Sequence, residues 1–236
     1  MLMRIWHLLL DLIFPIRCVG CGVAGLFLCD DCLPKIHMLR EQHCPVCWRP
    51  NIGGQVCLRC RTTSPLSGLI VAGGYHKNAI LERAIKQIKY RFSAPLAARL
   101  AEILATTALR NVVLQQYSGP AHFMCTFVPM HPRREGLRGF NQAKLLAEAT
   151  THQLNLPLYD LLMRTRVTKQ QAGLHRAERL QNLVKAFAVR PGVDVVGQRI
   201  IIIDDVATTG ATLHECAKVL KKAGAEQVWG LVLARG

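Results

Sequence analysis

The sequence predicts an α/β fold: a parallel sheet covered by helices on both faces, preceded by a small cysteine-rich metal domain. Three observations predict it. Strand-like and helix-like segments alternate from about residue 65 to the end. One of the strands, RIIIIDD at Arg199–Asp205, carries four consecutive isoleucines, as a strand buried on both faces does. Eight of the ten cysteines stand in four C-x-x-C pairs near the N-terminus. With 236 residues, half of them hydrophobic, the chain can build one full core and a small satellite domain. We divide it into residues 1–64 and residues 65–236.

The first stretch, MLMRIWHLLLDLIFPIRC, has a basic residue and an apolar run, as a signal peptide does. Asp11 interrupts that run, Pro15 ends it, and no small-residue cleavage site precedes Cys18. Ile5, Leu8, Leu9, Leu12 and Ile13 fall on one face of a short helix, expected to pack on the protein. Nothing approaches the ~18 apolar residues of a spanning helix.

The pairs Cys18/Cys21, Cys29/Cys32, Cys44/Cys47 and Cys57/Cys60 come next. Two thiolates on one tight turn can face one metal, and two such turns complete a tetrahedral Cys₄ site. The reading is two structural zinc ions. A disulfide framework and an iron–sulfur cluster are the competing readings. Sequential pairing, first with second and third with fourth, closes the shortest loops and is preferred over a crossed arrangement. His37 and His43 are near enough in sequence to replace a cysteine, but read as surface residues. Cys125 and Cys216 read as buried thiols.

After Cys60, RTTSPLSG has the composition of a linker. LIVAGGYH reads as a strand, and NAILERAIKQIKYRF as a basic amphipathic helix carrying Lys86, Lys89 and Arg91. APLAARLAEILATTALRNVVLQQ reads as one long helix with Pro95 at its start. HFMCTFVPM is a strand stopped at Pro129. A basic loop with Arg133, Arg134 and Arg138 follows, then a turn at Gly139 and a helix capped by Asn141. The segment Arg164–Arg179 reads as a flexible basic loop containing Gln170, Gln171 and Gly173, with Asn182, Ala186 and Phe187 in a returning helix. LHECAKVLKKAGA is a helix closing at Gly224, and EQVWGLVLAR the last strand.

Net charge is +15. Residues 1–64 hold seven Lys/Arg against four Asp/Glu, and eight zinc-bound thiolates bring that region close to neutral. The excess therefore belongs to the C-terminal region and points to a polyanionic partner.

Asp204 and Asp205 end the isoleucine strand, and Val206, Ala207, Thr208, Thr209, Gly210, Ala211 and Thr212 lead into a helix. In an open α/β sheet, ligands bind beyond the carboxyl ends of the strands. The helix N-terminus and hydroxyl groups suit a phosphate, and Gly210 permits a tight fold around it. The carboxylates suit a vicinal diol. A ribose 5-phosphate satisfies both demands.

IIIIDDVATTGAT resembles the phosphoribosyl diphosphate (PRPP) motif of type I phosphoribosyltransferases. The resemblance implies a type I phosphoribosyltransferase-like domain, Asp204 and Asp205 on the ribose hydroxyls, the Val206–Thr212 loop on the 5-phosphate, and Mg²⁺ arriving with PRPP. It also places Arg133, Arg134 and Arg138 at the pyrophosphate and the Arg164–Arg179 segment as a hood over the site. VPMHPRREGLRGFNQAKLLAE and RTRVTKQQAGLHRAERLQNLVKAF, with the cysteine pairs, resemble the ComF family, also described as GntX-like. That resemblance implies competence or DNA utilisation, with single-stranded DNA as partner, its phosphates expected on the basic helix of Lys86, Lys89 and Arg91 and on the hood arginines. DNA-uptake proteins at the inner membrane are further expected partners, and the location is cytoplasmic or peripheral at that membrane. The alternative is an active transferase moving ribose 5-phosphate from PRPP to a base or amine.

Overall fold

The computed structural model describes residues 16–90, 93–117, 119, 122–166 and 183–236. The expected N-terminal helix, Arg91 and most of the hood segment, including Gln170, Gln171, Gly173, Arg176, Arg179 and Asn182, lie outside them.

Four strands form a parallel sheet: β1 (Gly68–Gly74), β2 (Met124–Phe127), β5 (Arg199–Ala207) and β6 (Gln227–Arg235), in the order β1-β6-β5-β2. Val71 lies opposite Val232, Ile203 opposite Leu231, and Phe127 opposite Ile203. Ile200–Ile203 and Val228–Ala234 are buried throughout, which is why neither segment alternates in polarity. Leu158 bridges in parallel to Cys125 and extends the β2 side. A parallel sheet needs crossovers, and helices supply them. α1 (Ala79–Tyr90), α2 (Ala94–Leu109) and α3 (Val112–Gln116) connect β1 to β2; α5 (Gln142–Leu154) follows β2, and α6 (Ala211–Lys222) joins β5 to β6. α2 and α5 pack on each other and on the sheet, while Leu213 of α6 reaches the position that a side chain at Gly230 would fill.

Three segments differ from the sequence reading. The single long helix is two, because Asn111 interrupts it. Its Oδ1 accepts from the Val113 and Leu114 amides as a helix cap, and its Nδ2 donates to Gly53 O at 2.9 Å. The basic loop after β2 is a short helix, α4 (Pro132–Arg138), whose first turn is capped by His131 Nδ1 and whose end is Gly139 at φ 82°. Phe187 belongs to no returning helix: β3 (Leu162–Arg164) and β4 (Phe187–Val189) form an antiparallel pair, with Arg164 opposite Phe187.

The cysteine-rich region covers the free edge of β1. The Leu39 amide donates to Ala72 O, the Gln42 side chain bonds both Val71 N and Val71 O at 2.9 Å, and the Val56 amide donates to Ser67 O. An exposed edge strand invites intermolecular pairing, and these bonds close it. Gly54 passes so near Leu69 O that a side chain there would collide with the backbone.

Candidate functional site

β5 brings its two acids to the carboxyl end of the sheet and buries both. Successive strand residues face opposite sides, and the two carboxylates accordingly meet different neighbours. Asp205 Oδ2 lies 3.2 Å from Lys89 Nζ of α1. Asp204 accepts the Asp205 amide at 2.8 Å and lies on the side of Cys216 in α6 and Arg164 in β3, both of which sense its charge. Burial and the adjacent Asp205 push Asp204 up to about 8, with the Asp205 amide, Lys89 and Arg164 opposing. Burial works against the Lys89 ammonium, but Asp205 and Asp204 outweigh it and raise its pKa.

The loop that follows has the local chemistry of an anion cradle. Gly210 adopts φ 76°, a left-handed conformation that glycine takes without strain, and α6 starts at the next residue. Thr209 Oγ1 accepts the Ala211 amide at 3.3 Å. Thr208 is exposed, and Thr209, Gly210 and Thr212 are half-buried, so this surface is open to a ligand, while Ala207 and Ala211 anchor it in the core. Gly236 closes one side, its amide donating to Ala207 O.

The three arginines of α4 are not equivalent. Arg134 is close enough to Arg164 to oppose its charge, which links it to the Asp204 side. Arg138 donates to Gln142 Oε1 at 2.7 Å, at the start of α5, and Arg133 is exposed. Lys89 and Arg164 stand beside the acid pair and were not among the candidate site residues read from the sequence. Lys89 read as part of a basic helix face and Arg164 as part of a hood. The one available signal was the position of Lys89 four residues after Ile85, on the apolar side of its helix.

The cysteines assemble as two tetrads, Cys18/Cys21/Cys29/Cys32 and Cys44/Cys47/Cys57/Cys60, each with its sulfurs within 4.8 Å of one another. This is the sequential pairing, and neither His37 nor His43 belongs to a tetrad. Amides of Gly20 and Cys29 donate to Cys18 Sγ, and that of Cys57 to Cys44 Sγ. Burial raises these two thiols, but the backbone donors outweigh it and bring Cys18 down to about 6 and Cys44 to about 7. Within the same tetrads, burial and neighbouring sulfurs push Cys32 up to about 12, and neighbouring sulfurs and burial do the same to Cys60. Four thiolates this close require a dication, and the set of four sulfurs with no oxygen or water position fits structural zinc. Cys125 and Cys216 are buried thiols, Cys125 pushed up to about 12 by burial.

Fold and sites together define a phosphoribosyltransferase-type domain carried behind a double zinc ribbon. Residues 9–61 match the Double zinc ribbon domain and residues 142–236 the Phosphoribosyl transferase domain. The chain is 30% identical to Competence protein F of Haemophilus influenzae over 94% of this chain and 98% of that protein. It is 29% identical to Competence protein ComFC of Bacillus subtilis, over 88% of this chain and 84% of that one. It is 32% identical to DNA utilization protein YhgH of Salmonella typhi, over 86% and 89%. The chain belongs to this ComF family. Among solved structures, the glutamine PRPP amidotransferase of B. subtilis aligns at TM-score 0.40 and 16% identity over 63% of this chain and 30% of that one.

Proposed function

We propose that this protein serves the use or uptake of external DNA, holding single-stranded DNA on its basic C-terminal domain and PRPP in a pocket at the carboxyl end of β5. The observation that carries the pocket is the junction of a buried acid pair with a left-handed Gly210 that opens α6. Asp204 and Asp205 take the ribose hydroxyls. The Val206–Thr212 stretch, running from the end of β5 into the first turn of α6, takes the 5-phosphate with its hydroxyls and backbone amides. Arg134, with Arg133 and Arg138 on the same short helix, faces the pyrophosphate, whose oxygens bring Mg²⁺ with them. The DNA reading is supported by the names of the relatives and by a net charge of +15. No helix among the described residues is long and apolar enough to cross a membrane.

Calorimetric titration with PRPP and Mg²⁺ tests the pocket. The expected result is saturable binding that disappears in the Asp204→Asn/Asp205→Asn double variant; no binding by the native chain would sink it. Titration with an oligo-dT strand at rising salt tests the DNA part, and affinity should fall steeply. A salt-independent response, or none, removes that reading. Pyrophosphate released from PRPP in the presence of a base would instead favour the transferase alternative.

A further inference from the structure

A buried acid pair beside a phosphate cradle poses an electrostatic problem, since a polyanionic ligand must approach whatever negative charge the pair carries. The side chains around the pair answer it. Lys89 Nζ stands 3.2 Å from Asp205 Oδ2, and Asp204 adds to the attraction on its charge. Its side chain is 29% exposed, against 58% for Lys86 on the same helix, whose ammonium is taken by Glu82 at 2.7 Å. Lys86 thus belongs to the solvent face of α1, and Lys89 to the strand end. Burying an ammonium to this degree is costly unless a carboxylate meets it. The position in the last turn of α1 also favours a cation, because the helix dipole places partial negative charge there. An ammonium has three protons, and a single carboxylate oxygen at 3.2 Å leaves donors for a second acceptor.

We propose that Lys89 is a ligand-binding residue of the phosphoribosyl site, holding Asp205 for the ribose diol and donating to an oxyanion of the bound phosphoribosyl diphosphate. The inference rests on the reading of the β5 end as a PRPP pocket. It assigns Lys89 to that pocket instead of to a nucleic-acid-facing helix. With Arg164 on the Asp204 side, each acid has a cation near it, and the incoming phosphates meet no uncompensated negative charge.

The test is calorimetry with PRPP and Mg²⁺ on the native chain, Lys89→Met and Lys89→Arg, each first checked for zinc content and an unchanged unfolding midpoint within a few degrees. The same proteins are titrated with an oligo-dT strand. Lys89→Met should lose at least tenfold in PRPP affinity, Lys89→Arg should recover most of it, and all three should bind the strand alike. PRPP binding by Lys89→Met equal to that of the native chain overturns the proposal. So does a Lys89→Met variant that keeps PRPP but loses the strand, which would return the lysine to a DNA surface. If Lys89→Met fails to fold, Lys89→Arg carries the test: strand binding lost with PRPP binding intact overturns it. Failure of the native chain to bind PRPP is a different outcome, and it removes the pocket itself.

Discussion

The Arg235 guanidinium lies 3.8 Å over the ring of Trp48 and donates to Pro45 O at 3.3 Å, so the last residue of the last strand is fastened to the second cysteine tetrad. Pro45 is inside the Cys44/Cys47 turn and Trp48 directly after it, at φ 59°, a left-handed conformation costly for a residue with a side chain. Arg235 in turn lies opposite Ala207, the residue before the Thr/Gly loop. His43 stacks on the same indole, with ring centroids 4.6 Å apart. The second ribbon is therefore built into the end of the sheet that carries the candidate site.

Trp48→Leu should destabilise the protein by about 1 kcal/mol, the magnitude of a partly exposed cation–π contact. Denaturant unfolding measures it. Zinc content should stay at two per chain, because no cysteine is touched; loss of zinc would mean that the indole supports the tetrad itself.

Gln42→Ala strips both bonds from Val71 at the sheet edge. A cost of about 1–3 kcal/mol follows from leaving that amide and carbonyl without partners. Hydrogen exchange should accelerate at Val71 while the β5 amides stay protected. Equal protection of Val71 in both proteins would show that the ribbon covers the edge without this side chain.

Zinc removal should act on the sheet as well as on the ribbons. Chelation at both tetrads is expected to raise exchange across β1, whose outer edge the cysteine-rich region covers, before it affects β2. Simultaneous loss at β1 and β2 would mean that the ribbons and the sheet unfold as one unit.

Asp204 gives a pH signature. Its pKa rises from 3.8 to about 8 on folding, so between those values the native state holds a proton that the unfolded chain has released. Stability from this group is present at low pH and falls as pH rises through that window. Asp204→Asn should flatten the trend in denaturation midpoints between pH 5 and 9. A native chain that gains stability over that range would contradict the protonated state of Asp204.

Gly210→Ala meets no atom within 4 Å, so only its φ of 76° opposes the substitution. The expected cost is about 1 kcal/mol in stability. PRPP affinity should fall further than that, because the loop must abandon its shape to relieve the strain. Unchanged affinity would show that the loop geometry is not what holds the phosphate.

Much of this protein was set by local sequence. Four C-x-x-C pairs determine two tetrads because two thiols on a tight turn point one way and the short loops favour neighbours. The isoleucine run determines a central strand, and the acids and glycine after it a strand–loop–helix junction. These are short-range outcomes, carried by spacing and by backbone preference. Tertiary structure decided what depends on partners distant in the chain. Asn111 breaks the long helix because Gly53, 58 residues away, accepts its amide. Phe187 becomes a strand because Arg164 lies opposite it. Lys89 turns from solvent to Asp205, and the ribbons become the cover of an edge strand, because a buried charge and an open sheet edge each need a partner that only the folded chain brings within reach.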